Sequence, residues 1–427
     1  EFLKPLKPGQ LSVNHAVLII GGGLAGITAA LSLADQGFAS FIVEKEEELG
    51  GNYRKLHYTL EGLDTRSHLA GLLDRVGKSP LIRVFTGAEI RKLEGFIGNY
   101  KTTVGTKAGE ELFEHGVVIV ATGAYELETD EYLCGASDRV VTQRELEELI
   151  AGKEAKALGA KSVVMIQCVG SRNDERPYCS RYCCSEAIKN ALKLKEADPD
   201  REITVIYRDI RTFGLKEDYY KKAREADVRF VRYDEDRKPE VKAEGGKIAV
   251  TVFDPVLNET VELRADLLAL SVGTVPNPGN AEIGKMLKVP TNQDGFFLEA
   301  HVKLRPVDFA TDGVFMCGMS HAPKFSEESI TQANAAVSRA CTILSKDFIE
   351  AEGKTAYVNK ERCMACGLCE INCPFSAIAV DEKEGAAVVN TVLCKGCGVC
   401  TASCRMNAAD LNGYNNEEVL AQIGALY

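Results

Sequence analysis

Most of the chemistry this chain can do is written in its cysteines. Cys363, Cys366, Cys369 and Cys373, followed by Pro374, match C-x2-C-x2-C-x3-C-P, and Cys394, Cys397, Cys400 and Cys404 repeat the spacing with Arg405 in place of the proline. This doubled three-plus-one spacing suits two [4Fe–4S] cubanes, with the fourth cysteine of each run ligating the other cluster. One centre is expected on Cys363, Cys366, Cys369 and Cys404, the other on Cys394, Cys397, Cys400 and Cys373. Gly367, Gly396 and Gly398 keep backbone amides near the sulfurs, where hydrogen bonds tune a cluster's potential. A zinc ribbon does not use this spacing.

A second group lies in "CVGSRNDERPYCSRYCC", residues 168–184, which holds Cys168, Cys179, Cys183 and Cys184. The favoured reading is one further [4Fe–4S] cluster, because a cubane needs four thiolates and the local supply equals the demand. A helix expected from Ser185 would aim its N-terminal amides at an anionic cluster, and Arg172 and Arg181 would offset charge. Three other readings stand beside it: structural core cysteines, a redox-active dithiol, which accounts for two cysteines and not four, and a four-cysteine zinc site. Adjacent Cys183 and Cys184 must aim both sulfurs at one centre; otherwise they form a thiol pair that reacts rather than binds. Cys134, Cys317 and Cys341 stand alone, and Cys317 is read as a small apolar residue near a cofactor.

The elements that hold these groups begin with "AVLIIGGGLAGITAALSLADQG", an apolar strand, a glycine turn and a helix through Ile27–Ala34, followed by the strand "ASFIVEKE". Gly21, Gly23 and Gly26 have the G-x-G-x-x-G spacing that gives a tight turn, close backbone approach to a pyrophosphate and helix–strand packing. Leu24 and Ala25 start the helix whose N-terminus receives that pyrophosphate. Glu44, with Lys45 beside it, ends the second strand where a carboxylate accepts ribose hydroxyls. Later segments carry Gly50 and Gly51, then Ala121, Thr122 and Gly123 after the strand "GVVIV", and then Gly318, Met319, Lys324 and Ser329 around a turn and a helix over 326–346.

These three segments resemble the two-dinucleotide-domain flavoproteins, the family of thioredoxin reductase and glutathione reductase. The resemblance implies FAD on the residues just named, with Met319 where many members place an acid. It also implies a nicotinamide domain inserted between two halves of the FAD domain. Here "KSVVMIQ", "SEAIKNALKLKEAD", "REITVIYRD" and "RADLLALSVGTVPNPG" supply the skeleton of that insertion, but its first strand runs into the cysteine stretch with one glycine where three are required. No NAD(P)H site is therefore expected. Lys324 is the candidate catalytic cation near the flavin, set against a reading as a solvated loop lysine. His57, His68, His115 and His301 carry no placed role, and His321, nearer the flavin turn, is read as structural.

"QCVGSR…YCSRYCC" and "GMSHAPK" are similar to the HdrA family, the iron–sulfur flavoproteins of heterodisulfide reductase, in a short form. Longer members have a further N-terminal domain and an extra ferredoxin module, a point this chain passes in "GGNYRKLHYTLEGLDTRSHLAGLLDRV" without a cysteine. The expected architecture is α/β, a thioredoxin-reductase-like two-dinucleotide-domain flavoprotein with a C-terminal α+β bacterial-type two-[4Fe–4S] ferredoxin domain. Its expected divisions are residues 1–125 and 275–350 for the FAD domain, 126–274 for the insertion, and 351–427 for the ferredoxin domain and tail.

Composition bounds the rest. The 427 residues carry a net charge of −11 with no offsetting basic stripe, which excludes a nucleic-acid surface, and no apolar run is long enough to span a membrane. Fifteen cysteines in a chain of this size point to metal or redox chemistry in the cytoplasm rather than to disulfides. The chain opens on Glu1, as expected of a processed protein or a piece of a longer one. By resemblance its partners are other redox subunits: heterodisulfide-reductase B- and C-like, hydrogenase- or dehydrogenase-linked, or membrane quinone-reactive. Soluble ferredoxin is a further candidate, and a homodimer within the complex is compatible with this. The expected function is an electron-transfer subunit converting between two-electron and one-electron transfer, with electron bifurcation implied by resemblance alone. The alternatives are an NAD(P)H-dependent flavoenzyme resembling the small subunit of glutamate synthase, and a non-catalytic relay or assembly subunit.

Overall fold

A computed structural model describes residues 6, 9–351, 353–391 and 393–426. Five short apolar runs build a first, wholly parallel sheet in the order Val314–Met316, Val117–Val120, Val17–Ile20, Ser40–Val43, Ile82–Phe85. Of its three inner strands, Val17–Ile20 and Val117–Val120 are buried throughout, which is why each reads as an unbroken aliphatic run. Helices Leu24–Asp35 and Ser326–Leu344 cover one face, where Ala29, Ala30, Ala333, Ala336 and Ala340 let them lie close. The antiparallel strands Glu89–Phe96, Asn99–Thr106 and Gly109–His115 cover the other through Tyr100, Val104 and Phe113.

The chain leaves this unit along Ala124–Glu126 and returns along Thr274–Pro276, and these two crossings pair antiparallel. Between them a second parallel sheet has the order Val140–Thr142, Leu267–Val272, Ser162–Val169, Glu202–Tyr207, Val228–Arg232. Helices Gln143–Ala151 and Cys183–Ala197 pack on one side through Leu146, Ala187 and Ile188, and a three-stranded antiparallel sheet packs on the other through Ile248, Val250 and Val252. Thr142 caps the first of these helices by exchanging hydrogen bonds with Glu145. The central strand is irregular at its C-terminal end: its register shifts between Ile166 and Val169, and Cys168 takes a left-handed φ of 63°. A bulge thus stands where a nucleotide-binding turn would begin.

After residue 355 the fold changes to paired short strands, Ala356–Val358 with Ala409–Leu411 and Ile378–Asp381 with Ala386–Val389. The short helices Leu368–Ile371 and Val399–Ser403 follow Gly367 and Gly398, both left-handed.

Three local expectations differ from the structure. The helix expected from Ser185 starts at Cys183, with Tyr182 as a cap that makes no side-chain capping bond. Serine is the better N-cap by type, but here the start is set by tertiary contact, the Tyr182 hydroxyl lying 2.8 Å from Thr274 Oγ1. The long helix ends at Leu344 rather than 346. The stretch KDFIEAEGK, expected from its sequence as a short charged connection into the C-terminal module, contains the strand Phe348–Ala351 paired with Gly9–Ser12, a long-range pairing that no local pattern announces.

Arg201 anchors the far end of the cysteine-bearing helix. It is almost fully buried and donates to the carbonyls of Leu158, Ala160 and Leu194. Arg201→Met strands the carbonyls of Leu158 and Ala160, since that of Leu194 keeps the Asp198 amide, and the expected cost is about 2–4 kcal/mol in urea unfolding of the middle unit, followed by circular dichroism.

Candidate functional site

A cavity of about 860 Å³ opens between the two parallel-sheet units. Gly21, Gly23, Leu24 and Ala25 line one part of it, with Glu44 and Lys45, Gly51, and Ala121, Thr122 and Gly123; Gly318, Met319, Lys324 and Ser329 line another. Gly26 and Gly50 do not face it. The glycines divide by cause. A Cβ on Gly21 would lie 2.4 Å from the Ala121 carbonyl oxygen, and one on Gly26 would lie 2.0 Å from that of Gly21, so both are required by packing. A Cβ on Gly23 would meet nothing within 4 Å. Its space is kept for something outside the protein, at the amino end of helix Leu24–Asp35, as a pyrophosphate requires. Glu44 is nearly buried; Oε2 accepts from the Gly22 amide at 2.6 Å and Oε1 from the Glu46 amide at 2.8 Å. The carboxylate is thereby aimed into the cavity with acceptor capacity to spare.

Lys324 is buried, not solvated, and Nζ donates to the carbonyls of Gly318 (2.8 Å) and Ala322 (3.0 Å). Burial lowers its pKa to about 8, against the opposing pull of Glu328. Ser329 Oγ donates to the Phe325 carbonyl.

The cavity's remaining wall comes from the middle unit: Arg144, Tyr182, Glu186, Lys189 and Lys216. Behind it, fully buried Glu147 accepts from Lys189 Nζ (2.5 Å) and from the amides of His57 (2.6 Å) and Tyr58 (3.3 Å). Lys189 Nζ also donates to the Tyr58 carbonyl at 3.1 Å. Burial pushes the Glu186 carboxyl up to about 7, with Lys189 pulling the other way. None of these residues stands out in the sequence. Tyr182, Glu186 and Lys189 share one helix face at i, i+4, i+7 spacing, which as a polar stripe reads as solvent-facing.

Cys183 and Cys184 sit in the first turn of that same helix, both buried. Cys184 Sγ lies 3.6 Å from the Asp209 carbonyl oxygen, and Cys184, Cys168 and Cys179 are near enough to act on Cys183. The closeness of the two sulfurs lowers the Cys184 pKa to about 7 against its burial, and, with burial, raises that of Cys183 well above the ordinary thiol value. Burial raises Cys168 to about 11 against Arg172, whose Nη1 lies 3.8 Å from its sulfur. The Arg181 amide donates to Cys179 Sγ at 3.3 Å, and Arg181 itself pairs with Glu328 across the domains at 2.7 Å. The donor set suits four-thiolate ligation, with a guanidinium and an amide already turned toward its sulfurs.

In the C-terminal module Cys363, Cys369, Cys373, Cys394 and Cys400 share one core. A small cavity there is lined by Cys373, Cys394, Cys397 and Cys400, the crossed set of one centre. Cys363, Cys366 and Cys369 act on one another, and Cys404 belongs to the run that crosses back toward them. The amides of Ala356, Ala377, Ala387 and Ala408 donate to the sulfurs of Cys394, Cys373, Cys363 and Cys404 at 3.2–3.4 Å. Such bonds stabilise anionic sulfur and tune a cluster. All fifteen cysteines are free thiols, and among the described residues no group of three or more His, Cys, Asp or Glu is drawn together closely enough to hold a metal ion directly.

Comparison with known proteins bears on the fold and the family. Residues 16–66 fit the model of an FAD binding domain, and 356–379 that of a 4Fe-4S binding domain. Thioredoxin reductases from Lactococcus lactis and T. acidophilum superpose with TM-scores of 0.53 and 0.52, at 18% and 17% identity. The matches cover 78% and 77% of this chain and 99% and 98% of theirs, which establishes the two-dinucleotide-domain fold. The HdrA protein of the H(2):CoB-CoM heterodisulfide,ferredoxin reductase of Methanothermobacter marburgensis is 34% identical over 520 aligned positions, covering 100% of this chain and 78% of that protein. Its counterpart in Methanocaldococcus jannaschii, an iron-sulfur subunit of CoB--CoM heterodisulfide reductase, is 33% identical, covering 88% and 72%. At this identity and coverage the chain belongs to the HdrA family of iron–sulfur flavoproteins, and it is an oxidoreductase.

Proposed function

We propose that this chain is the flavin hub of a multisubunit oxidoreductase, joining an FAD to three [4Fe–4S] clusters and exchanging electrons with partner redox subunits rather than with NAD(P)H. The observation that carries this reading is the helix Cys183–Ala197, whose first two turns serve two sites. Cys183 and Cys184 face the bulged strand and Cys168, while Tyr182, Glu186 and Lys189 line the flavin cavity. With a pitch of about 5.4 Å, thiolates and cavity are separated by little more than one turn. FAD, when bound, takes up electrons in pairs and releases them singly, and each cubane carries one.

The residues present divide the work. Gly23 and the amino end of helix Leu24–Asp35 take the pyrophosphate, and Glu44 the ribose. At the ring end, the amino terminus of helix Ser326–Leu344 and the ammonium groups of Lys189 and Lys324 favour negative charge. Cys168, Cys179, Cys183 and Cys184 hold the inner cluster, and the eight C-terminal cysteines hold the outer pair. Partners are other redox subunits, in keeping with the relatives' names as subunits of reductases. One of those names couples a heterodisulfide and ferredoxin, and we extend to this chain the division of an electron pair between two routes.

Two measurements test the reading. Anaerobically prepared chain is expected to hold about twelve irons and as many sulfides, falling to about eight in Cys183→Ala/Cys184→Ala. Eight in the unmodified chain removes the inner cluster. NADH or NADPH added without oxygen is expected to leave the flavin absorbance unchanged over minutes, and prompt bleaching by either returns the middle unit to a nicotinamide role.

A further inference from the structure

His321 lies half-buried in the turn between Gly318 and helix Ser326–Leu344, with a partner on each ring nitrogen. Nε2 is 2.9 Å from Glu299 Oε2, and Nδ1 is 3.0 Å from Gln332 Nε2. Gln332 Oε1 in turn accepts from the Gly318 amide at 2.9 Å. Gly318 and Met319 form part of the flavin cavity wall.

The polarity of this chain of bonds is determined at one end. A backbone N–H can only donate, so the Gln332 atom facing Gly318 must be its oxygen. The atom facing His321 is then the amide NH2, a donor, and Nδ1 must accept. The ring proton therefore sits on Nε2 and is donated to Glu299. Every group is satisfied in one arrangement only, with His321 neutral. A proton arriving from solvent at Nδ1 sets two donors against each other. Gln332 can then satisfy the imidazolium only by turning its oxygen from Gly318, which brings its NH2 against the Gly318 N–H.

We propose that Glu299, His321 and Gln332 form a polarity-locked relay that positions the Gly318–Met319 turn against the flavin, and that protonation of His321 releases it. The inference rests on the reading of the cavity as the flavin site. The charged groups facing His321 are Glu299 from the segment before it and Lys324 from its own turn; His301 acts on Glu299 from beyond, and helix Ser326–Leu344 contributes the uncharged Gln332. Burial, and then Lys324, hold the imidazole below its ordinary value of 6.5, with Glu299 opposing. The relay is thus locked near neutral pH. As pH falls through the lowered value, a cation appears beside the flavin, reduction becomes easier, and the turn loosens.

The test is the pH dependence of the flavin midpoint potential in the full chain, with FAD and clusters in place. The unmodified protein is expected to show a change of slope below pH 6.5, with the potential rising more steeply toward acid. His321→Gln keeps hydrogen-bonding capacity on both sides but cannot titrate in this range, and is expected to lose the break while retaining flavin. Glu299→Gln removes the opposing anion and is expected to move the break to lower pH. A break unmoved in both variants overturns the relay. Should the histidine variant fail to fold, 15N-histidine NMR of unmodified protein still decides, because a neutral His321 protonated on Nδ1 contradicts the polarity. Full chain that takes up no FAD overturns the cavity reading instead.

Discussion

The buried ion pair between Glu147 and Lys189 is the constraint on which the rest of the site depends. Both residues belong to the middle unit, on the two helices that pack side by side, yet they bind the first unit through the backbone of residues 57 and 58. Removing two charges from water is costly, and such a pair holds only when its spare hydrogen-bonding capacity is filled. Here two amides and a carbonyl from the flavin-binding unit do the filling. The pair is therefore complete only when the two units sit in this orientation, and losing either partner would leave a buried charge worth about 3–5 kcal/mol of stability. The Arg181–Glu328 and Lys216–Glu327 bridges span the same interface but lie nearer solvent, where each adds a few tenths of a kcal/mol to about 1. They refine a placement that the buried pair already sets.

That placement brings the amino end of helix Cys183–Ala197, which follows the central strand of the second sheet, against the flavin cavity through Tyr182, Ser185 and Glu186. Ligand sites in open α/β sheets lie at the carboxyl ends of the strands, since backbone amides and helix amino termini converge there. The bulge at Ile166–Val169 uses that edge differently. It turns Cys168 into a left-handed conformation toward Cys183, whereas a nucleotide loop would turn glycines toward a pyrophosphate. The same strand order and the same helix thus present sulfur in place of amides.

How much of this was legible in the sequence follows from the range of each interaction. The glycine turn could be read because its spacing encodes backbone contacts a few residues apart, such as Gly26 against the Gly21 carbonyl. The cysteine runs could be read because ligand spacing is local. Lys324 could be placed in the flavin turn, but not the commitment of its ammonium to two carbonyls. Glu147, Glu186 and Lys189 could not be read at all. On a helix they have the pattern of a wet face, and only the docking of a second unit makes that face an interior. The strand Phe348–Ala351 and the helix start at Cys183 escaped for the same reason, being set by partners more than 90 residues away.

The burial of Glu186 carries a further consequence. A carboxyl with a pKa near 7 is half-charged under ordinary conditions, and it faces a cavity already holding Lys189 and Arg144. If the cavity held only water, this cluster would cost stability for no evident return. With the proposed redox cofactor in the cavity, a group poised between two protonation states can follow its change of charge at little cost. The wall of the cavity is thus electrostatically soft on the side of the middle unit. On the opposite side, at Gly318, it is held by hydrogen bonds of a single polarity. A cofactor between these walls meets one that yields to its charge and one that holds its position.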